Sequence, residues 1–139
     1  MATHKEIFNM TLEDVATEAE KLEVIVKITN YDVSDNVNTF YINDNPAWFK
    51  KELRGSIRDS LELQKSAGLE TATLWVNDEA YELNIDTALE LMKEIELYAI
   101  KCNNNTHNNI NRVKSLTLRS ELREFDITEG YPEKLKFKL

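Results

Sequence analysis

Apolar positions in the first part of the chain recur at alternating spacings of three and four. Leu12, Val15, Ala19, Leu22 and Val26 fall on one stripe of a helix that the pattern carries to about Asn30. Thr11 stands at its N-cap position, with Glu13 and Asp14 in the first turn, where the helix dipole favours negative charge. Val24, Ile25 and Ile28 widen the apolar surface beyond the stripe. The helix therefore has two apolar sides to cover.

The period then changes. Residues 37–42 read as a strand, Asn43-Asp44-Asn45 as a turn, and residues 46–49 as the returning arm of a hairpin. Pro46 confines that arm to a sheet edge, because it has no N–H to donate. Residues 50–66 read as a helix with Leu53, Ile57, Leu61 and Gln64 on one face, and Gly68 suits the position just past its end. Residues 71–76 form the strongest strand signal. Asn77-Asp78 supplies a second hairpin turn, and Tyr81 and Leu83 share a face of the partner strand while Glu82 takes the other. Asp86 stands as the cap of a long helix over residues 87–113. Its second half holds Asn at 103, 104, 105, 108, 109 and 111, and Asn is a mediocre helix former. That half must be held by packing of Ile110 and Val113, or break. A short helix over 118–125, a turn at Gly130-Tyr131-Pro132 and a strand over 135–139 complete the pattern.

The order α-ββ-α-ββ-α-α-β predicts an α+β fold: a small antiparallel sheet of hairpins packed with three to four helices, plus an N-terminal helix. The natural seam lies at residues 31–35. It separates residues 1–30, an arm and helix for oligomerisation or docking, from a compact domain over residues 31–139.

Charge narrows the function. Twenty-five acidic against 17 basic side chains give a net charge of −8, with no Lys/Arg cluster of the kind that neutralises phosphates. Neither nucleic acid nor an anionic membrane is an expected partner, and no stretch reads as a signal peptide or membrane span. Cys102 is the single cysteine, which excludes an intrachain disulfide and fits a reducing compartment.

The side chains for chemistry are sparse. His4 sits in the arm and His107 in the Asn-rich stretch, neither a rigid setting for a general base. Cys102 and His107 are five residues apart, off a common helical face, with no third ligand near, and Asp32, Asp35 and Asp44 lack the pattern of a calcium loop. Glu90, Glu94 and Glu96 read as a solvated helix face. The three glycines at 55, 68 and 130 are isolated, so no phosphate-cradling loop is expected. No catalytic, cofactor or metal site is expected, and the chain reads as non-enzymatic. Trp48 and Trp75 could form a binding platform, but large aromatics are usually mostly buried, which places both between sheet and helices. The stripe Leu12, Val15, Ala19, Leu22, Val26 fits a heptad seam for a protein partner. Packing within the chain explains it as well, since two heptads are short for a coiled coil.

Several segments, in order, resemble a domain of unknown function found in tail-associated proteins of bacteriophages and prophages. They are Ser34-Asp35-Asn36-Val37-Asn38-Thr39-Phe40, Trp48, Lys65-Ser66-Ala67-Gly68 with Thr73-Leu74-Trp75, Ile95-Glu96-Leu97-Tyr98-Ala99, and Gly130-Tyr131-Pro132-Glu133-Lys134-Leu135. The resemblance spans residues 31–137 and leaves out the first helix. The chain departs from the family at Asp44 and Asp78, where Gly is usual, and in its run of asparagines. The resemblance implies a structural or adaptor protein of the tail or tail fibre, made in the host cytoplasm and built into the virion. Phage tail or fibre proteins and further copies of the chain, as a homo-oligomer, are then its partners. It implies no activity and assigns no functional residues. One alternative is a fibre-assembly chaperone absent from the virion. A second, suggested by the charge, is an acidic inhibitor that imitates DNA.

Overall fold

A computed structural model describes residues 14–33 and 39–139. Thr11, Leu12 and His4, together with the start of the first predicted strand, lie outside the described residues. The elements are α1 (Glu18–Val33), β1 (Phe40–Ile42), β2 (Asn45–Ala47), α2 (Lys51–Ser66), β3 (Thr71–Val76), β4 (Glu79–Asn84), α3 (Ile85–Ser115), α4 (Arg119–Glu124) and β5 (Lys136–Phe137). The fold is α+β, with small hairpin sheets among helices.

Both hairpins turn on the same pair of residues. Asn43 and Asp44 have φ of 49° and 68°, Asn77 and Asp78 of 51° and 64°. Two successive left-handed residues make the mirror-image turn whose twist matches the flanking strands, and Asn and Asp tolerate that backbone best after Gly. β1 pairs antiparallel with β2, and β3 with β4. β5 joins the first sheet beside β1 and runs parallel to it, so that sheet is mixed. The N–H groups of Tyr41 and Asn43 bond the carbonyls of Leu135 and Phe137 at 2.8 and 2.9 Å.

The helix ends follow local chemistry. α2 stops in a glycine-terminated motif: Gly68, at φ 87°, donates to the Lys65 carbonyl, and Leu69 to that of Gln64. α3 is capped by Asn84, whose Oδ1 accepts from Asp86 and Thr87 N–H at 2.9 and 3.4 Å. Asp86, expected as that cap, lies inside the helix. α1 begins six residues later than Thr11 suggested. Thr17 Oγ1 accepts the Glu20 N–H at 3.1 Å, and Glu20 Oε1 accepts the Thr17 N–H at 3.2 Å. This reciprocal pair satisfies two otherwise orphaned donors.

The chain divides into two compact units, and this grouping departs from a seam at residues 31–35. One gathers residues 14–33 with Cys102–Pro132; its core is Ala16, Ile28, Val113 and Leu122, joined by half-buried Val24, Ile25 and Phe125. α1 belongs here because Ile28 is enclosed, and a helix with such an anchor is no detached arm. The other unit comprises residues 39–101 with Glu133–Leu139. Its core joins Phe40 and Ile42 of β1, Leu61 of α2, alternate residues Ala72, Leu74 and Val76 of β3, and Ala88, Leu91, Met92 and Ile95 of α3. Phe40 meets Phe49 and Phe137 edge-on at 5.3 and 6.1 Å.

One expectation about burial is corrected. Trp48 and Trp75, placed between sheet and helices by their size, are 42% and 64% exposed. For Trp75 the cause is parity: Ala72, Leu74 and Val76 take the inward positions of β3, so Thr71, Thr73 and Trp75 face out. The Asn-rich half of α3 is unbroken, with Val113 in the core and Ile110 packed beside it, the first of the two alternatives its sequence left open. Its buried line is Cys102, Thr106, Asn109 and Val113, at helical spacing. Asn105 and Asn109 each donate from Nδ2 to the Glu129 carbonyl, at 3.1 and 3.0 Å. Two asparagines thus pin the segment that leads to Gly130, which has φ of 77°.

Candidate interaction surfaces

α1 is held along one side and bare along the other. On the held side, Ile28 enters the core, Val24 and Ile25 pack beside it, and Lys21 donates to the Lys114 carbonyl at 3.4 Å. Arg119 Nε bonds both Glu20 carboxylate oxygens at 2.8 and 2.9 Å. That hydrogen bond, more than any other influence, holds the Glu20 carboxyl below its ordinary pKa. At the far end, Tyr131 donates its hydroxyl to Asp32 Oδ1, and the Tyr31 and Tyr131 rings meet edge-on at 5.1 Å. Burial first, and the bond to Asp32 second, push the Tyr131 hydroxyl far above the usual tyrosine range.

The sequence-predicted stripe divides accordingly. Leu12 lies outside the described residues. Val15 precedes the helix, half-buried in an isolated antiparallel bridge to Leu118; Ala16 N–H bonds the Thr117 carbonyl at 2.8 Å, and Arg119 N–H that of Asp14 at 3.0 Å. Ala19, Leu22 and Val26 share the bare side, Leu22 at 59% and Val26 at 48% exposed. Thr29 and Val33 continue their spacing on exposed positions, so the three-four alternation runs the length of the helix on the side away from its core. The sequence shows both apolar sides but not which one the chain covers.

The second unit bears other open surface. Trp75 stands beside exposed Leu53 of α2, and half-buried Ile57 lies next to it. Elsewhere a groove of about 530 Å³ runs between α2 and α3. Two close ion pairs border it, Lys65 Nζ to Asp86 Oδ1 at 2.7 Å and Arg54 Nε to Glu96 Oε2 at 2.7 Å. Cys102 is buried and His107 exposed. Among the described residues no three His, Cys, Asp or Glu side chains gather where a metal ion could be held, and no helix is long and apolar enough to cross a membrane.

Comparisons with protein-family models, with curated proteins and with solved structures return no match.

Proposed function

We propose that the chain is a non-enzymatic structural or adaptor subunit of a bacteriophage tail or tail fibre, working through protein–protein contacts. The observation that carries the binding part of this reading is the outer side of α1. Leu22, Val26 and Val33 are exposed at helical spacing on an element whose other side is already anchored by Ile28. Apolar side chains repeated along an anchored helix cost solubility unless something covers them, and a three-four spacing is what a second helix reads. The tail context rests on the motif resemblance over residues 31–137. Further copies of the chain are the proposed first partner on α1, where weak contacts repeated along a tail add through multivalency.

The test is mass spectrometry of purified particles from cells carrying the chain, with chemical crosslinking through exposed Lys27 of α1. The chain is expected in the particles, crosslinked to tail or fibre proteins. Its absence from particles, with crosslinks to no tail protein, would refute the proposal.

A further inference from the structure

β3 leaves one edge of its sheet open. The turn at Asn77-Asp78 closes on the pair Val76 and Glu79, so the hydrogen-bonded positions of β3 are Val76, Leu74 and Ala72. Thr71, Thr73 and Trp75 then turn their N–H and C=O groups away from β4. Among the described residues, no backbone bond reaches these three from outside the hairpin.

Open edges invite strand pairing, and proteins usually blunt them with proline, charge or short length. This molecule does so elsewhere. β2 has three residues, one of them Pro46, and β4 carries exposed Glu79 and Glu82. β3 is six residues long and has no proline, glycine or charge.

Beside that edge lies α2. Leu53, Ser56, Ile57 and Ser60 of α2, with Thr73 and Trp75 of β3, line a groove of about 270 Å³. Its surroundings are acidic: residues 69–84 include Glu70, Asp78, Glu79 and Glu82 and no Lys or Arg. Of the four cations of α2, Arg54 pairs with Glu96 and Lys65 with Asp86 on its other side, Arg58 lines the groove toward α3, and Lys51 stands exposed in the first turn.

We propose that this groove binds an extended segment of another protein as an added strand on β3, with apolar residues alternating with Lys or Arg. Main-chain groups of the segment pair with those of Thr71, Thr73 and Trp75. Its apolar residues face Leu53 and Ile57. Its basic residues lie on the outer face, over the Trp75 ring and toward Glu82, which stands opposite Thr73. This surface belongs to a different unit from the α1 stripe and does not depend on it.

The test uses the full chain and a blocked heptapeptide of alternating valine and lysine, with a valine–glutamate peptide as counterpart. Hydrogen exchange reads the amides of Thr71, Thr73 and Trp75, and fluorescence of a Trp48→Phe variant reads Trp75. The lysine peptide is expected to slow those three amides and shift the Trp75 emission; the glutamate peptide is expected to do neither. Thr73→Pro removes an outward N–H at a position where β4 loses no bond, and should weaken binding by roughly tenfold or more at an unchanged melting temperature. A peptide N-methylated along its pairing edge makes the same test from the ligand side should that variant fail to fold. Leu22→Glu/Val26→Glu should bind the peptide as the parent does, whatever becomes of the α1 reading. Equal binding of both peptides, or no protection of the three amides, overturns the proposal. So does protection that grows with protein concentration alone, since the occupant would then be a second copy.

Discussion

α1 and the second half of α3 contribute to the same unit, and hydropathy misleads about each in opposite directions. α1 is apolar on two sides, yet only Ile28 is fully enclosed and Leu22, Val26 and Val33 stand in solvent. The stretch from Cys102 to Ser115 is crowded with asparagine, yet Asn109 is as buried as the core and the helix is continuous. In α3 a backbone carbonyl, that of Glu129, needs two donors, and Asn105 and Asn109 supply them. In α1 apolar side chains exceed what the unit can enclose. Burial follows from what an element has to satisfy on its neighbour, and the surplus on α1 is what the proposed partner would cover.

The largest expected effect separates the two sides of α1. Ile28→Ala should cost about 2–5 kcal/mol of stability, through lost burial and the cavity left behind. Leu22→Ala should stay within about 0.5 kcal/mol. Chemical denaturation of both variants checks this, and similar losses would erase the distinction between the sides. Next comes Asn109→Ala, which leaves the Glu129 carbonyl one donor short and opens space at a buried position; about 1–3 kcal/mol is expected. Gly130→Ala belongs beside it. Its new Cβ would lie 2.6 Å from Asn105 Oδ1, and a positive φ costs a non-glycine residue about 1–2 kcal/mol. If neither substitution moves the unfolding midpoint, the asparagine-to-Glu129 contact does not explain why this helix holds.

Smaller again is the cap. Thr17→Ala should cost about 1 kcal/mol, whereas no such loss is expected if the helix began near Thr11. The pH dependence is the finest probe. The Tyr131 hydroxyl is raised in the folded state, by burial and by its bond to Asp32, so its contribution is present below the ordinary tyrosine pKa of about 10 and is lost as pH rises beyond it. Glu20 is lowered, mainly by Arg119, so its contribution is present above the ordinary carboxylate range and is lost as pH falls through it. Thermal melts against pH should therefore show an alkaline decline blunted in Tyr131→Phe and an acid decline blunted in Arg119→Gln.

Much of the fold was legible because single residues dictated it. Asn-Asp pairs can take two left-handed residues in a row, Gly68 can end a helix, and alternation fixed β3 to the residue. The Thr17–Glu20 capping pair was legible too, and the acidic turn after Thr11 drew attention from it. Trp75 could have been placed by parity, since Ala72, Leu74 and Val76 claim the inner face; size alone suggested burial. The role of Asn105 and Asn109 was not legible, because the acceptor they serve is a main-chain carbonyl twenty or more residues on, with nothing in its side chain to announce it. The parallel course of β5 was equally hidden, since two residues of strand carry no sign of direction. The stripe residues Ala19, Leu22 and Val26 were found, and their exposure was not, because both sides of α1 are apolar in sequence.

The central claim is that the outer side of α1 is kept apolar for a protein partner, first of all another copy of the chain. Deleting residues 1–30 cannot test it, because Ile28 would be lost from the core; Leu22→Glu/Val26→Glu leaves that anchor in place. Sedimentation equilibrium across protein concentration should show an oligomer for the parent chain and a monomer for the variant, with the same thermal midpoint for both. A parent chain that stays monomeric at every concentration and recruits no tail or fibre protein through that helix would contradict the account.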